Sequence, residues 1–194
     1  MNWRAALRNA SIALVSAWVG WAYAEPISVA RLEHLLQAQP PGRTLHFDEV
    51  HESPWLTAPA TSSGSMRSTA TMLEKQVDQP RRETWRILDD RLEWTAPGSA
   101  ETKQLLFSQA PAAGELGKAL RHVLAGDLAA LGDDFRLLPG GDEHLWTLRL
   151  TPRRTDVARV LQELELQGSG PDVQVIMVRE TRGDRTTTRL THQP

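Results

Sequence analysis

The sequence predicts a mainly β fold of about ten or eleven short antiparallel strands with three helical segments. Apolar and polar residues alternate between Ser62 and Leu92, and turns interrupt the alternation every 8 to 12 residues or so, which is typical of a meander of sheet strands. Three other segments carry apolar residues at helical spacing instead. The sequence contains no repeat, and its 194 residues suffice for one domain with a substantial core.

The first 24 residues have the pattern of a secretory signal peptide. Arg4 and Arg8 precede an apolar run at 10–19, and Ala22-Tyr23-Ala24 forms a cleavage site of small residues. The run is shorter than the roughly 20 residues that a spanning helix needs. We therefore expect cleavage after Ala24 and a single domain over residues 25–194, located outside the cytoplasm.

Composition restricts the possible functions. The sequence contains no cysteine, so we expect no disulfide bonds and no lipid-modified N-terminal residue. Removal of the signal peptide also removes two arginines, so the net charge falls from −2 to −4. This balance gives no basic surface for nucleic acid.

The first predicted strand covers residues 44–52. Leu45 and Phe47 share one face, whereas Val50 falls on the other, and this change of phase predicts a bulge or a bend of the strand near 48–49. The polar residues of the strand predict a solvated face; they are His46, Asp48, Glu49, His51 and Glu52. Because successive side chains point to opposite faces, at most two converge, fewer than a metal site needs.

Two segments are predicted to form the main helices, at 27–37 and 112–125. The second has one apolar stripe, which would cover the sheet as a lid: Leu116, Ala119, Leu120, Val123 and Leu124. Its charged residues are predicted to face water: Glu115, Lys118 and Arg121. Gly114 and Gly117 either loosen the helix or permit close packing, and Gly126 suits a left-handed C-cap.

The remaining segments alternate again. Strands are predicted at 104–108, 135–138, 145–150, 164–167, 173–178 and 185–190, with a short helix from Thr155 through Leu161. The last strand is rich in threonine and arginine, which predicts an edge strand protected against further pairing.

One side of these strands predicts an apolar layer. Its members are Met66, Met72, Leu73, Trp85, Ile87, Leu92, Trp94, Trp146, Leu148, Leu164, Leu166, Val175 and Met177. Methionine and tryptophan suit an acyl-chain site, because methionine adapts to ligands of variable shape. The same residues would equally form an ordinary core, and the residues alone leave both interpretations open.

No catalytic motif is present in the sequence. It lacks a cysteine nucleophile, a Gly-x-Ser-x-Gly elbow, a P-loop and a Gly-x-Gly-x-x-Gly fingerprint. The six histidines are scattered among predicted polar faces. We therefore expect a protein without enzymatic activity, metal or cofactor.

Several segments together carry a family resemblance. A glycine-led strand, then Leu73-Glu74-Lys75, a turn with proline and a strand that ends in an acidic turn resemble the LolA-like family of periplasmic outer-membrane lipoprotein carriers. Further segments agree in order: Phe47-Asp48-Glu49, Leu124-Ala125-Gly126-Asp127, residues 146–152 and Gly183-Asp184. The resemblance spans about residues 30–191.

This resemblance implies a strongly curved, unclosed antiparallel β-barrel, with helices that cover a concave apolar face. It also implies a soluble, monomeric periplasmic carrier of an acylated lipoprotein or lipid, with a donor complex in the inner membrane and an acceptor at the outer membrane. On this basis the cavity is predicted to be lined by Met66, Leu73, Trp85, Ile87, Leu92, Trp94, Trp146, Leu148, Leu164, Leu166 and Met177. The lid residues are predicted to be Leu116, Leu120 and Leu124.

The sequence departs from the family at one functional position. Where the best-known carrier has an arginine that latches the lid, this chain has Ala70, followed by Thr71. The latch is thus missing or supplied elsewhere, and a lipid of glycolipid or polyene export becomes the strongest alternative cargo. Two other functions stay open: a non-catalytic envelope sensor or interaction module, and a secreted hydrolase that uses the polar cluster at 46–52.

Overall fold

The structure, a computed structural model, describes residues 26–40, 42–69, 71–99 and 101–192. The predicted signal peptide and Ala70 lie outside these residues. The strands are β1 (Thr44–Glu52), β2 (Ala60–Ser68), β3 (Leu73–Gln79), β4 (Glu83–Ile87), β5 (Arg91–Thr95), β6 (Thr102–Leu106), β7 (Phe135–Gly141), β8 (Trp146–Pro152), β9 (Leu161–Ser169), β10 (Asp172–Glu180) and β11 (Arg185–His192). The helices are α1 (Val29–Gln37), α2 (Pro111–Ala125) and α3 (Thr155–Ala158), and a 3-10 turn covers Ala129–Leu131.

These strands form one antiparallel sheet in the order β6-β5-β4-β3-β2-β1-β11-β10-β9-β8-β7. Two meanders, β1 to β6 and β7 to β11, are joined where β1 pairs with β11. Within the described ranges β6 and β7 do not pair with each other, so the sheet is not closed. The predicted mainly β fold with an unclosed, curved antiparallel sheet is confirmed.

The prediction that the last strand is an edge is wrong. Strand β11 pairs with β1 on one side and β10 on the other, which places it in the centre of the sheet. Its inward-facing Thr188 and Leu190 are buried. The true edges are β6, which has only five residues, and β7, which contains Pro139. A short strand and a proline are the features that limit further strand pairing here.

Strand β1 has no bulge, which was one of the two alternatives predicted for it. The register with both β2 and β11 runs without a shift from Leu45 to His51. Leu45, Phe47 and Glu49 therefore share the inner face, and Val50 lies on the outer one. The change of phase in the apolar pattern has a different cause: the inner face of this strand becomes polar at Glu49.

Helix α1 packs against α2 and β7. The Ser28 side chain accepts a hydrogen bond from the backbone nitrogen of Arg31 at 3.2 Å and so caps the helix. Leu32 and Leu36, four residues apart, are buried on its inner side. The segment before it is held to the end of β7 by the Ile27 backbone nitrogen, which donates to the carbonyl of Gly141 at 3.0 Å.

Helix α2 packs closely on the inner face of the sheet. It begins with Pro111 and ends at Ala125. The next residue, Gly126, has a φ of 73°, which confirms the predicted left-handed C-cap. A Cβ at Gly114 would lie 2.7 Å from the Phe107 side chain, and one at Gly117 would lie 2.9 Å from that of Ile87. These contacts favour close packing over loosening as the role of the two glycines.

Within the described ranges, no helix combines the length and the hydrophobicity that crossing a bilayer requires.

Candidate functional site

The inner face of the sheet has two halves that differ in burial. The half on β8 and β9, which we call the packed half, contains four of the predicted cavity residues: Trp146, Leu148, Leu164 and Leu166. Each of these side chains has 0% of its surface exposed. The Trp146 indole nitrogen also donates to the carbonyl of Gly170 at 2.8 Å, so its polar atom is satisfied inside the protein. In this structure the packed half is core.

The half on β4 and β5, which we call the open half, consists of Trp85, Ile87, Leu92 and Trp94. The register pairs Trp85 with Trp94 and Ile87 with Leu92, so all four side chains lie on the same face. All four are only half-buried. This half therefore has apolar surface that the rest of the protein does not cover completely.

Met66 and Leu73 lie between the two halves, on β2 and β3, and both are buried. The predicted lid residues Leu116, Leu120 and Leu124 follow one side of α2 and pack, partly buried, against the core. Their spacing of four residues carries this apolar stripe along about 12 Å of helix.

Met177 is not part of this face. It pairs with Thr187 and Glu165, whereas its neighbours Ile176 and Val178 are buried, as Val173 is at the start of β10. Val175 shares the outer face with Met177. The prediction placed both residues inside because β10 contains consecutive apolar residues, from which a period of two cannot fix the phase.

A tryptophan pair forms the outer part of the open half. The Trp85 and Trp94 ring centroids are 5.9 Å apart, with a tilt of 36° between the ring planes. Both indole nitrogens donate to the carboxylate of Glu83, each to a different oxygen and each at 3.0 Å. The Lys103 Nζ lies 5.1 Å from the Trp94 ring centroid. The polar edges of the indoles are thus satisfied, which leaves their apolar faces available for contact.

A polar cluster lies on the same inner face, around Glu49. Its carboxylate contacts Lys75 Nζ at 2.6 Å, Thr188 Oγ1 at 2.7 Å and Ser62 Oγ at 3.3 Å. Lys75 Nζ also lies 4.6 Å from the Phe47 ring centroid. Burial alone would raise the pKa of Glu49, but the charge of Lys75 and the three hydrogen bonds outweigh it and hold the pKa below its ordinary value.

This cluster corrects the predicted solvated face of β1. Glu49 points inward and is largely buried, whereas His46 and Asp48 lie on the exposed outer face, as the alternation predicted. Lys75 and Glu83 were not predicted as site residues either. Strand parity could have placed Lys75 on this face, because it lies two residues from Leu73 and from Val77. Glu83 likewise lies two residues before Trp85.

Two charged residues of α2 contradict the sequence prediction. Glu115 and Arg121 were expected to face water, but only 5% and 7% of their surfaces are exposed. Arg121 contacts Asp89 in the β4–β5 turn at 2.5 Å, and Glu115 contacts Arg154 at 3.4 Å. Lys118 is more exposed, and its Nζ lies 3.6 Å from Glu115. These ion pairs connect α2 to the β4–β5 turn through Asp89 and to the N-cap of α3 through Arg154.

A cavity of about 290 Å³ opens where α1, the end of α2 and the first strands meet, and we call it the mouth cavity. It is lined by Leu36, Gln37, Gln39, Pro40, Gly42, Arg43, Leu45, Met66, Ser68, Thr69, Leu124, Ala125 and Val173. Met66 and Leu124 were predicted to line a cavity. The volume is at the lower end of the range of ligand pockets, about 300–1,000 Å³.

The histidines and carboxylates do not assemble into a metal centre. Among the described residues, no three side chains of histidine, aspartate or glutamate are grouped so that they could hold an ion. His51 contacts Thr186 through its Nδ1 at 3.0 Å and Asp184 through its Nε2 at 3.7 Å. Both contacts are on the inner side of β1, away from His46.

Comparison with known proteins identifies the family. Solved structures that resemble this fold include a LolA superfamily protein from Nitrosomonas europaea, with 12% identity, a TM-score of 0.44 and coverage of 86% of this chain and 92% of that one. A domain described as an outer membrane lipoprotein-sorting protein from Vibrio parahaemolyticus has 8% identity, a TM-score of 0.46 and coverage of 84% and 88%. A DUF1329 family protein from Desulfovibrio piger has 12% identity, a TM-score of 0.45 and coverage of 84% and 88%.

No curated protein matches the sequence significantly. The family described as outer membrane lipoprotein carrier protein LolA-like, in contrast, matches residues 23–193, which is nearly the whole chain. The chain therefore belongs to the LolA-like family of outer membrane lipoprotein carrier proteins.

Proposed function

We propose that this chain is a periplasmic carrier that binds the acyl chains of a lipoprotein, or of another amphiphilic lipid, and moves them toward the outer membrane. The observation that carries this proposal is the incomplete filling of the inner face. The open half presents half-buried apolar side chains, and the mouth cavity, which other residues line, has an empty volume of about 290 Å³. An acyl chain can occupy this space while the packed half stays intact.

The arrangement of α2 suggests the path of the chain. Leu124 lines the mouth cavity, and Leu120 and Leu116 continue the same stripe of the helix. Gly117 brings the helix against Ile87, at the start of the open half. We infer that an acyl chain runs from the mouth cavity along α2 toward the tryptophan pair, which requires α2 to move away from Ile87 at Gly117. Each methylene group that it buries adds about 0.8 kcal/mol to binding.

The family supports the remaining parts of the proposal. LolA-like carriers are periplasmic and generally non-catalytic, and they bind lipoprotein cargo. For this chain we infer cleavage of the signal peptide after Ala24, transport as a monomer, a donor complex in the inner membrane and an acceptor at the outer membrane. The function needs neither a cofactor nor nucleic acid.

Native mass spectrometry of the protein purified from its own periplasm tests the proposal. We expect a population whose mass exceeds that of residues 25–194 by that of a lipid or lipopeptide. A uniformly empty monomer would favour the envelope sensor instead. A stoichiometric metal ion would favour the secreted hydrolase.

A matched pair of variants on α2 tests the path. Leu120→Glu places a charge on the partly buried stripe, whereas Ala113→Glu places the same charge on the exposed side of the helix. We expect Leu120→Glu to weaken binding of a long-chain amphiphile by at least roughly tenfold, since an unpaired charge would face the apolar chain. Ala113→Glu should bind as the unaltered protein does. Equal affinities of the two variants would place the lipid elsewhere.

A further inference from the structure

Two residues that line the mouth cavity each have one buried polar atom without a hydrogen-bond partner. Within the part of the chain that the structure describes, Arg43 Nε and Ser68 Oγ are both buried and make no hydrogen bond. The rest of the Arg43 guanidinium is fixed, because its Nη2 donates to Asp172 at 2.8 Å and to Gln39 at 3.0 Å. A buried donor without a partner is unfavourable, and such atoms in a cavity mark the place where a ligand atom is accepted.

The two atoms belong to adjacent positions of the sheet. The pairing of β1 with β2 sets Thr44 opposite Arg67, and the Gly42 backbone nitrogen donates to the carbonyl of Ser68 at 3.1 Å. Arg43 precedes β1 and Ser68 ends β2, and both side chains line the mouth cavity. The N–H group and the hydroxyl group thus belong to two residues that line the same space.

The chemistry of the pair selects for an acceptor with negative charge. The guanidinium offers only donors, and the serine hydroxyl donates readily to an anion. Arg67 is exposed on the outer face of β2, outside the cavity lining, and its Nε donates to the carbonyl of Gly42 at 3.0 Å. Asp172 balances one of the two arginines and is itself shared with His192, whose Nε2 lies 3.3 Å away. Among the described residues that line the cavity, Arg43 is the one charged side chain, so the wall itself carries a positive group in a chain whose net charge is negative.

We propose that the mouth cavity binds the anionic oxygen headgroup of the amphiphile, a carboxylate or a phosphate, at Arg43 and Ser68. The other wall of the cavity is apolar and accepts the adjoining tail; it contains Leu36, Leu45, Met66, Leu124 and Val173. This inference rests on the proposed function, because it assigns the headgroup end of the same acyl-chain site. It also gives the tail a direction, from the cavity along α2.

Four single-chain amphiphiles with the same tail of about twelve carbons test the inference by titration calorimetry. They are dodecanoate, dodecyl phosphate, dodecyl maltoside and dodecyltrimethylammonium. We expect at least one of the two anions to bind roughly tenfold more tightly than the neutral and cationic compounds, because charged hydrogen bonds are strong in a partly buried site. The tighter of the two anions identifies the headgroup as carboxylate or phosphate.

Ser68→Ala is the matched variant. The Ser68 hydroxyl has no partner in the described part of the unliganded protein, so its removal should leave folding unchanged. We expect this variant to weaken the preferred anion by several-fold, and Arg43→Lys to weaken it further, with dodecyl maltoside unaffected by either. Arg67→Gln, at an exposed position, is the charge control and should have the smaller effect of the two arginine substitutions.

The outcomes separate this inference from the function on which it rests. Equal binding of all four compounds would overturn the headgroup site while acyl-chain binding stands. An unchanged anion affinity in Ser68→Ala and in Arg43→Lys would also overturn it. Absence of binding for all four compounds would overturn both the headgroup site and the carrier function.

Discussion

Trp146 and the pair Trp85–Trp94 show how one residue type serves two purposes on the same sheet face. Trp146 is fully buried, and Gly168 allows its ring to lie so close that an added Cβ would approach the Trp146 Cζ2 to 2.2 Å. The other two rings are half-buried, and a side-chain carboxylate, Glu83, holds their nitrogens. The difference teaches that apolar residues become core where glycine and backbone carbonyls surround them, and stay partly exposed where no such groups cover them.

The most direct way to sharpen this comparison is the same substitution in each half. Leu148→Ala removes a fully buried side chain in the packed half, and we expect it to lower the free energy of unfolding by about 2–5 kcal/mol. Leu92→Ala removes a half-buried side chain in the open half, where about 1 kcal/mol is expected. Urea denaturation measures both. Equal losses would mean that the two halves are packed alike.

The polar boundary of the apolar face predicts a smaller, pH-dependent effect. Glu49→Gln should lower the free energy of unfolding by about 1–3 kcal/mol at neutral pH, because Lys75 then loses its charged partner in a partly buried position. Asp48→Asn, one residue away on the exposed face, is the control and should change stability little.

The sign of the pH dependence follows from the pKa of Glu49. It lies below its ordinary value of 4.5 in the folded protein, so the stabilisation is fully present above that pH and disappears as the pH falls through the folded-state pKa. Denaturation curves of the unaltered protein and of Glu49→Gln should therefore converge in acid. A difference that persists well below pH 4.5 would contradict this assignment.

The smallest expected effect concerns the contact between α2 and the open half. Gly117→Ala improves helix propensity by about 1 kcal/mol, yet its Cβ would lie 2.9 Å from Ile87, and such overpacking costs about 1–3 kcal/mol. We expect a net loss of up to about 2 kcal/mol in thermal or urea denaturation. Gly132→Ala has only one ordinary contact, at 3.6 Å, and serves as the control. A clear gain in stability at Gly117 would show that the helix is loosely packed there.

The sequence predicted best what depends on local pattern. The alternation around Trp85 and Ile87 placed both residues on the correct face, and Gly126 ended α2 as expected. Both features follow from residues close together in the chain. The mainly β fold and the unclosed sheet were predictable in the same way, once the resemblance to the LolA-like family supplied the curvature.

The errors concern partners that are distant in sequence. Glu49 is buried beside Thr188, which is 139 residues away in the sequence. A local sequence pattern cannot predict a contact between such distant residues. Glu115 and Arg121 were predicted to face solvent because their ion-pair partners, Arg154 and Asp89, are distant in the sequence. The prediction that Met177 lies on the inner face was wrong for another reason. The apolar run in β10 does not alternate with polar residues, so the sequence does not show which side chains face inward.

The central claim is that the open half and the mouth cavity take up an acyl chain, and its most direct test is affinity against chain length. Straight-chain carboxylates of about eight to sixteen carbons are titrated into residues 25–194 carrying Trp55→Phe, which removes an exposed background fluorophore. The emission then comes from Trp85, Trp94 and the fully buried Trp146. We predict that each added methylene tightens binding roughly fourfold until the space is full, with a shift of the emission to shorter wavelength. An affinity that stays flat across the series, with no change in emission, would contradict the claim and show that the open half is only the margin of an ordinary core.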